Sequence, residues 1–248
     1  MITLLFIPSL LFSDLITFKV GYFFPRAKSD LWTSEMAHLT FAKSSFQNWS
    51  FYLGYEFFLS KKIGLAINLE GFSKVVSGIY KVDRVYSGQD EESRNVVLVV
   101  PSDRYKDPRL KHEFRVGITP IMVSAKFCPM GRRSGFIPFL GGGIGLYFWS
   151  VGVKGVWIDF NDEHIYYDED IDEDISAYLV DSKVESENKV TIGYHLLGGF
   201  MLPVEKKLTL DLEFKHRFAK GRFSEFFSSF GSFDIGGFQI SIGLNYMF

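Results

Sequence analysis

The chain predicts an all-β fold, an eight-stranded antiparallel up-and-down transmembrane β-barrel. Three observations predict it. Apolar residues recur with a period of two through eight segments, as in strands that bury or grease one face. Short turns alternate with long loops between those segments, which gathers the long connections at one end. Aromatic residues make up 17% of the 248 residues, and many of these rings fall near segment ends.

The segments justify themselves in order. Residues 16–24 alternate Val20, Tyr22 and Phe24 with Lys19, Gly21 and Phe23. Residues 49–59 set Trp49, Phe51, Leu53, Tyr55, Phe57 and Leu59 against Ser50, Tyr52, Gly54, Glu56 and Phe58. Residues 63–70 oppose Ile63, Leu65, Ile67 and Leu69 to Gly64, Ala66, Asn68 and Glu70. Residues 113–128 contain Pro120, which predicts a bulge because proline cannot donate to a ladder; beyond it Ile121, Val123, Ala125 and Phe127 oppose Met122, Ser124, Lys126 and Cys128. Residues 134–153 carry no charge and are long enough for a membrane helix. Pro138 and the run Gly141-Gly142-Gly143 argue instead for a strand over 137–149, since each glycine costs a helix about 1 kcal/mol relative to alanine and an interior proline about 3. Residues 189–202, 208–217 and 238–248 complete the eight. Turns 60–62, 129–135 and 203–207 are short; loops 25–48, 81–112, 161–188 and 219–234 are long.

Composition removes several function classes. Lys and Arg total 27 against 29 acids, a net charge of −2, so the basic footprint of a nucleic-acid binder is absent. The single Cys128 excludes an internal disulfide framework and a Cys-based zinc site. Residues 2–12 read as the apolar part of a secretory signal ending at Ser13, giving a leader over 1–13 and one barrel domain over 15–248. That leader is incomplete: no Lys or Arg precedes the run and Pro8 interrupts it. A buried first strand or helix is the alternative.

The greasy face is nearly free of charge, as it must be in lipid, where an Arg or Lys at mid-bilayer costs about 2–4 kcal/mol. Tyr22, Phe24, Trp49, Tyr55, Phe57, Phe148, Trp149, Tyr246 and Phe248 are placed to form interfacial girdles. The opposite face carries Lys19, Arg115, Lys126, Lys215 and Arg217 against Glu56, Glu70, Asp211 and Glu213. An eight-stranded interior is just wide enough to be filled by side chains, so these charges are expected to pair and plug it. A water-soluble lipocalin-like carrier, with the same alternation reversed, is the competing architecture.

The last strand, FQISIGLNYMF, resembles the C-terminal strand of Gram-negative outer-membrane barrels, with Ile240, Ile242, Leu244, Tyr246 and Phe248 at alternate positions and a terminal aromatic. PFLGGGIGLYF (138–148) and the stretch 193–218 are similar to strands of OmpA/OmpX/OmpW-like barrels. The resemblance implies an outer-membrane location, contact with lipid and lipopolysaccharide, and reading of Ile242, Leu244, Tyr246 and Phe248 by the barrel-assembly machinery. It further implies a monomer with no cofactor and a non-enzymatic role in envelope integrity or surface interaction. It also suggests that Phe223, Phe226, Phe227 and Phe230, at helical spacing in the fourth loop, gate a small hydrophobic ligand; a helix packed on the rim is the alternative.

Candidate chemistry is sparse. Some barrels modify lipid A, but neither His195 nor His216 is followed by the serine of the deacylase motif, which leaves only a spatial triad such as His195 with Asp211 and an outer-leaflet serine, beside the simpler reading of His195 as a hydrogen-bonded interior histidine. The third loop is acidic over 159–187. Asp168, Asp170 and Asp172 mimic the start of an EF-hand, yet Glu173 replaces the needed glycine and Leu179 stands where the twelfth-position Glu belongs. The three remain weak candidates for a divalent cation, beside the simpler reading of a solvated acidic loop. Basic pairs in the short turns, Lys61-Lys62, Arg132-Arg133 and Lys206-Lys207, suit anionic headgroups on the other side.

Overall fold

The computed structural model describes residues 14–33, 35–89, 95–131 and 134–248. The expected leader over 1–13 and the turn pair Arg132-Arg133 lie outside the described residues. Strands β1 (Leu15–Pro25), β2 (Asn48–Phe58), β3 (Ile63–Gln89), β4 (Asn95–Phe127), β5 (Ile137–Asp168), β6 (Glu173–Pro203) and β7 (Leu208–Phe218) follow in order. A small hairpin of β8 (Lys220–Arg222) and β9 (Ser232–Asp234) precedes β10 (Gly237–Met247). β1 to β7 and β10 close an eight-stranded antiparallel barrel, with β10 seated between β7 and β1.

Alternation decides the two surfaces. Outside, Ile16 and Phe18 of β1, Phe51 and Leu53 of β2, Ile67 and Leu69 of β3, Ile121 and Val123 of β4, and Ile242 and Leu244 of β10 are all exposed. So are Leu140 and Ile144 of β5 and Ile192 and Leu196 of β6. An apolar belt around a closed barrel with its charges inside is the inverse of a soluble carrier, and it fits a bilayer. Rings line one margin of that belt. Tyr22 contacts Trp49 and Phe24, with centroids 5.5 and 5.1 Å apart, and Phe24 leads on to Phe238. Trp149, expected in this girdle, instead points inward and is 2% exposed, because it shares the phase of buried Tyr147 rather than that of Phe148.

Two further expectations are corrected. Pro120 does not sit at a bulge: the β3–β4 pairs pass from Leu69–Ile121 to Phe72–Ile118 without a change of phase, and the β4–β5 register is unbroken from His112 to Phe127. With strict period two, Lys126 and Pro120 share the inner face and Arg115 falls on the outer one. Loops 81–112 and 161–188 are largely strand. β3 to β6 run 27, 33, 32 and 31 residues, about three times what crosses a bilayer. They rise as two hairpins joined where Leu98 and Val99 of β4 meet Leu179 and Tyr178 of β6, beside a slip in β5 between Ile158 and Glu163. VVLVVP (96–101) forms part of this raised sheet, paired to β3.

Candidate functional site

The lumen is built in three tiers. The middle tier is ionic. Lys19, Glu56, Glu70, Lys126, Asp211, Glu213, Lys215 and Arg217 all point inward and are at most 2% exposed. Lys19 Nζ lies 2.7 Å from Glu213 and 3.0 Å from Asp211. Lys126 Nζ is 2.9 Å from Glu56 and Lys215 Nζ is 3.1 Å from Glu213. Glu70 takes both Lys215 and Arg217, and Arg217 also donates to Gln239. Arg115 is the exception among the expected interior charges: its side chain is 64% exposed, 4.0 Å from Glu113 on the outer face. Removing it leaves four cations against four carboxylates, a neutral layer of the kind a low-dielectric interior demands. Ring faces flank the cations, with Tyr52 under Lys19 and Lys215 at 4.9 and 4.8 Å and Phe23 beside Arg217 at 4.8 Å.

Apolar tiers bound this layer. Toward the short turns, Leu15, Phe58, Cys128, Ile137, Phe139, Leu197 and Met201 form a floor. Toward the long hairpins lies an aromatic cap to which the first loop contributes Leu31, Trp32 and Phe46. Trp32 stacks on Phe233 at 5.4 Å and 16°. Its ring nitrogen donates to the Asp234 carbonyl at 3.3 Å. Asp234 in turn receives Nε and Nη2 of Arg26, at 2.8 and 2.9 Å, and the Gly236 amide. That bond to Asp234 raises the already high Arg26 pKa. Arg26, Asp234 and Gln239 escaped the sequence reading. Leu31, Trp32, Leu39, Phe41 and Phe46 were the available signal, five large apolar residues in a stretch read simply as a long loop.

The four gate candidates come together, but not as a helix over 223–230. Phe223 and Phe227 are buried and Phe226 and Phe230 partly so, around Trp149 and Trp157; only Ser228–Phe230 makes a 3₁₀ turn. Ser224 ties this segment to β6, its amide donating to Glu187 at 2.9 Å and its hydroxyl accepting from Lys189 at 2.5 Å. Asp168, Asp170 and Asp172 do not converge as ligands. Asp168 is 3% exposed and accepts from Tyr86, at 2.5 Å, and from Arg84, while Asp172 accepts from Tyr167. The Tyr86 and Arg84 bonds hold the Asp168 carboxyl below its ordinary range. Among the described residues no group of three metal-ligating side chains is assembled. His195 Nε2 lies 2.8 Å from Ser124 Oγ, within a chain through Asn68 to Tyr52, and Asp211 is engaged elsewhere by Lys19. His195 is thus a hydrogen-bonded interior histidine, and the His195–Asp211 contact that a spatial triad would need is not among these bonds. Ile242, Leu244, Tyr246 and Phe248 face outward on or just past β10.

No known family profile matches the chain, and no curated protein matches its sequence. Solved structures do match its fold. The outer membrane protein OprG of Pseudomonas aeruginosa aligns at a TM-score of 0.51 and 11% identity, covering 96% of each chain. Neisserial surface protein A aligns at 0.48 and 13%, covering 95% of this chain and 97% of that one. Ail, the attachment invasion locus protein of Yersinia pestis, aligns at 0.46 and 11%, covering 95% and 99%. The likeness to OprG shows the fold, that of an eight-stranded outer-membrane-type β-barrel, and the apolar belt around a neutralised ionic interior fits that barrel to a lipid bilayer.

Proposed function

We propose that this barrel is a non-enzymatic, non-conducting envelope protein that contributes to outer-membrane integrity and presents its raised hairpins for surface interaction. One observation carries the reading: the four-on-four ionic tier is closed below by an apolar floor and above by an aromatic cap. An open pore would need continuous polar walls and room for water, whereas the paired side chains here occupy the cross-section. The raised sheet offers exposed Ile165, Tyr167 and Ile171 beside its acids, which suits contact with other surfaces. The test is conductance in a planar bilayer. The closed barrel gives no stable current steps; ohmic steps from the full chain would overturn the reading.

A second reading, binding of a small hydrophobic molecule beneath Phe223 and Phe227, draws support from the polar surface latch that holds that segment to β6, Ser224 on Glu187 and Lys189 and Glu225 on Lys189 at 3.6 Å. Saturable quenching of Trp149 and Trp157 fluorescence by a brominated fatty acid, lost in Phe227→Ala, is its expected outcome. Quenching identical in wild type and variant would discard it.

A further inference from the structure

The outer wall is interrupted where β6 and β7 part. The β6–β7 ladder ends at Tyr194–Phe218, and the chain then turns inward, so that a Cβ on Gly221 would meet the Trp149 ring at 2.2 Å. Gly193 and Ala219, both in the inward phase and buried, line this turn between the exposed residues on either side. The result is a cleft of about 470 Å³ on the lipid side of the barrel. Its base is the stacked pair Tyr194–Phe218, 4.7 Å apart at 15°, and its side is the exposed aliphatic wall of Ile144 and Ile192. Above sit two cations. Lys220 is exposed, and Arg26 reaches over from β1, held in place by Asp234 with 26% of its side chain accessible.

We propose that this cleft binds one phosphorylated, multi-acyl glycolipid of the lipid A type from the outer leaflet. An acyl chain lies along Ile144 and Ile192, and a phosphate meets Lys220 and Arg26. Three features specify that occupant. The cleft opens toward lipid, so an acyl chain reaches it without desolvation. Its polar rim is cationic, complementary to a phosphate, and Asp234 pre-organises the guanidinium instead of leaving it to search. Finally, it lies at the end that bears the long hairpins, which in such barrels is the external one. The proposal rests on the membrane reading above but not on the absence of conduction.

The test uses the full chain in nanodiscs of phosphatidylcholine carrying a small fraction of either lipid A or phosphatidylglycerol, followed by native mass spectrometry of the released barrel. Wild type retains one lipid A and far less phosphatidylglycerol. Lys220→Glu removes a cation and Ile144→Trp fills the aliphatic wall; each lowers the apparent affinity for lipid A about tenfold, the factor that corresponds to about 1.4 kcal/mol. Arg115→Glu, an exposed charge on the outer face of β4, leaves retention unchanged. Each variant is first required to migrate differently when boiled and unboiled, and Lys220→Gln replaces Lys220→Glu if the reversal does not insert. Unchanged retention in the cleft variants, equal loss in Arg115→Glu, or equal retention of phosphatidylglycerol would each overturn the proposal. Failure of wild type to enter nanodiscs at all would instead count against the membrane reading, so the two failures are separable.

Discussion

Glu213 touches three lysines: Lys19 at 2.7 Å, Lys215 at 3.1 Å and Lys126 at 3.9 Å. Glu213→Gln leaves those cations one carboxylate short inside a sealed lumen. Breaking a buried pair from one side costs about 3–5 kcal/mol, because the remaining charges cannot recover their hydration. Arg115→Gln, made on the outer face, is expected to stay within about 0.5 kcal/mol of wild type. Urea unfolding of the detergent-folded barrel measures both; equal midpoints for the two variants would refute the four-on-four account. Gly143 presents a different constraint. A Cβ there would lie 1.9 Å from the Val123 carbonyl oxygen, so backbone, not a movable side chain, stands in the way. Gly143→Val should therefore abolish the mobility difference between boiled and unboiled samples, and a variant that kept it would show the β4–β5 contact to be more yielding than its geometry implies.

The strand elements and their inner faces were readable because a period of two leaves a mark that no helix or loop imitates, and eight of the nine expected interior charges follow from that phase alone. Arg115 was misassigned by assuming that Pro120 shifts the phase; the proline loses a donor, but the chain keeps its register. The raised halves of β3 to β6 were not readable for another reason. Outside the bilayer neither face is pinned to lipid, so the alternation dissolves into charge and the segments resemble loops. Likewise the cap depends on distant segments, Trp32 and Phe233 among them, whose meeting no local pattern announces. His112 lies in that upper region, paired to Gly155 and well beyond the belt, with its Nδ1 2.7 Å from the Val156 carbonyl. A carbonyl only accepts, so Nδ1 carries the proton of the neutral ring. Burial among Tyr80, Phe114 and Trp157 lowers its pKa below the ordinary 6.5, opposed by the Val156 bond and more weakly by Glu113. A depressed pKa contributes stability that is complete above about 6.5 and is lost as pH falls through the folded value. Trp157 fluorescence should accordingly report loosening of the hairpins on acidification from neutral pH, and His112→Phe should flatten that response. A variant with the same acid response as wild type would remove His112 as its source.

At the scale of the molecule, two structures of unlike support share the same strands. Below, every strand has neighbours on both sides, the belt is held by lipid, and the ionic tier binds β1, β2, β3, β4 and β7 together across the lumen. Above, the raised sheet is held by its hairpin partners, one short β4–β6 contact, the first loop at its base through Leu39–Tyr80 and His38–Phe160, and the Arg84–Tyr86–Asp168 knot toward its tip. Local opening free energies range from near zero to the global value, and they follow buried contact and backbone protection. The aromatic cap reaches as far as Val99, Trp157 and Ile158; past the slip at Ile158–Glu163, Ile165 and Tyr167 are 68% and 53% exposed. Hydrogen exchange of the lipid-reconstituted chain should therefore divide within single strands. Amides of β1, β7, β10 and the lower parts of β3 to β6 exchange slowest, those near the cap exchange at intermediate rates, and those of 163–178 exchange first. The boundary should fall at the slip in β5, not at the bilayer surface, because the cap and not the lipid is the last structure that packs the strands from within. Uniform protection from barrel to tip would mean that the hairpins and the barrel fold as one cooperative unit, and would contradict this division.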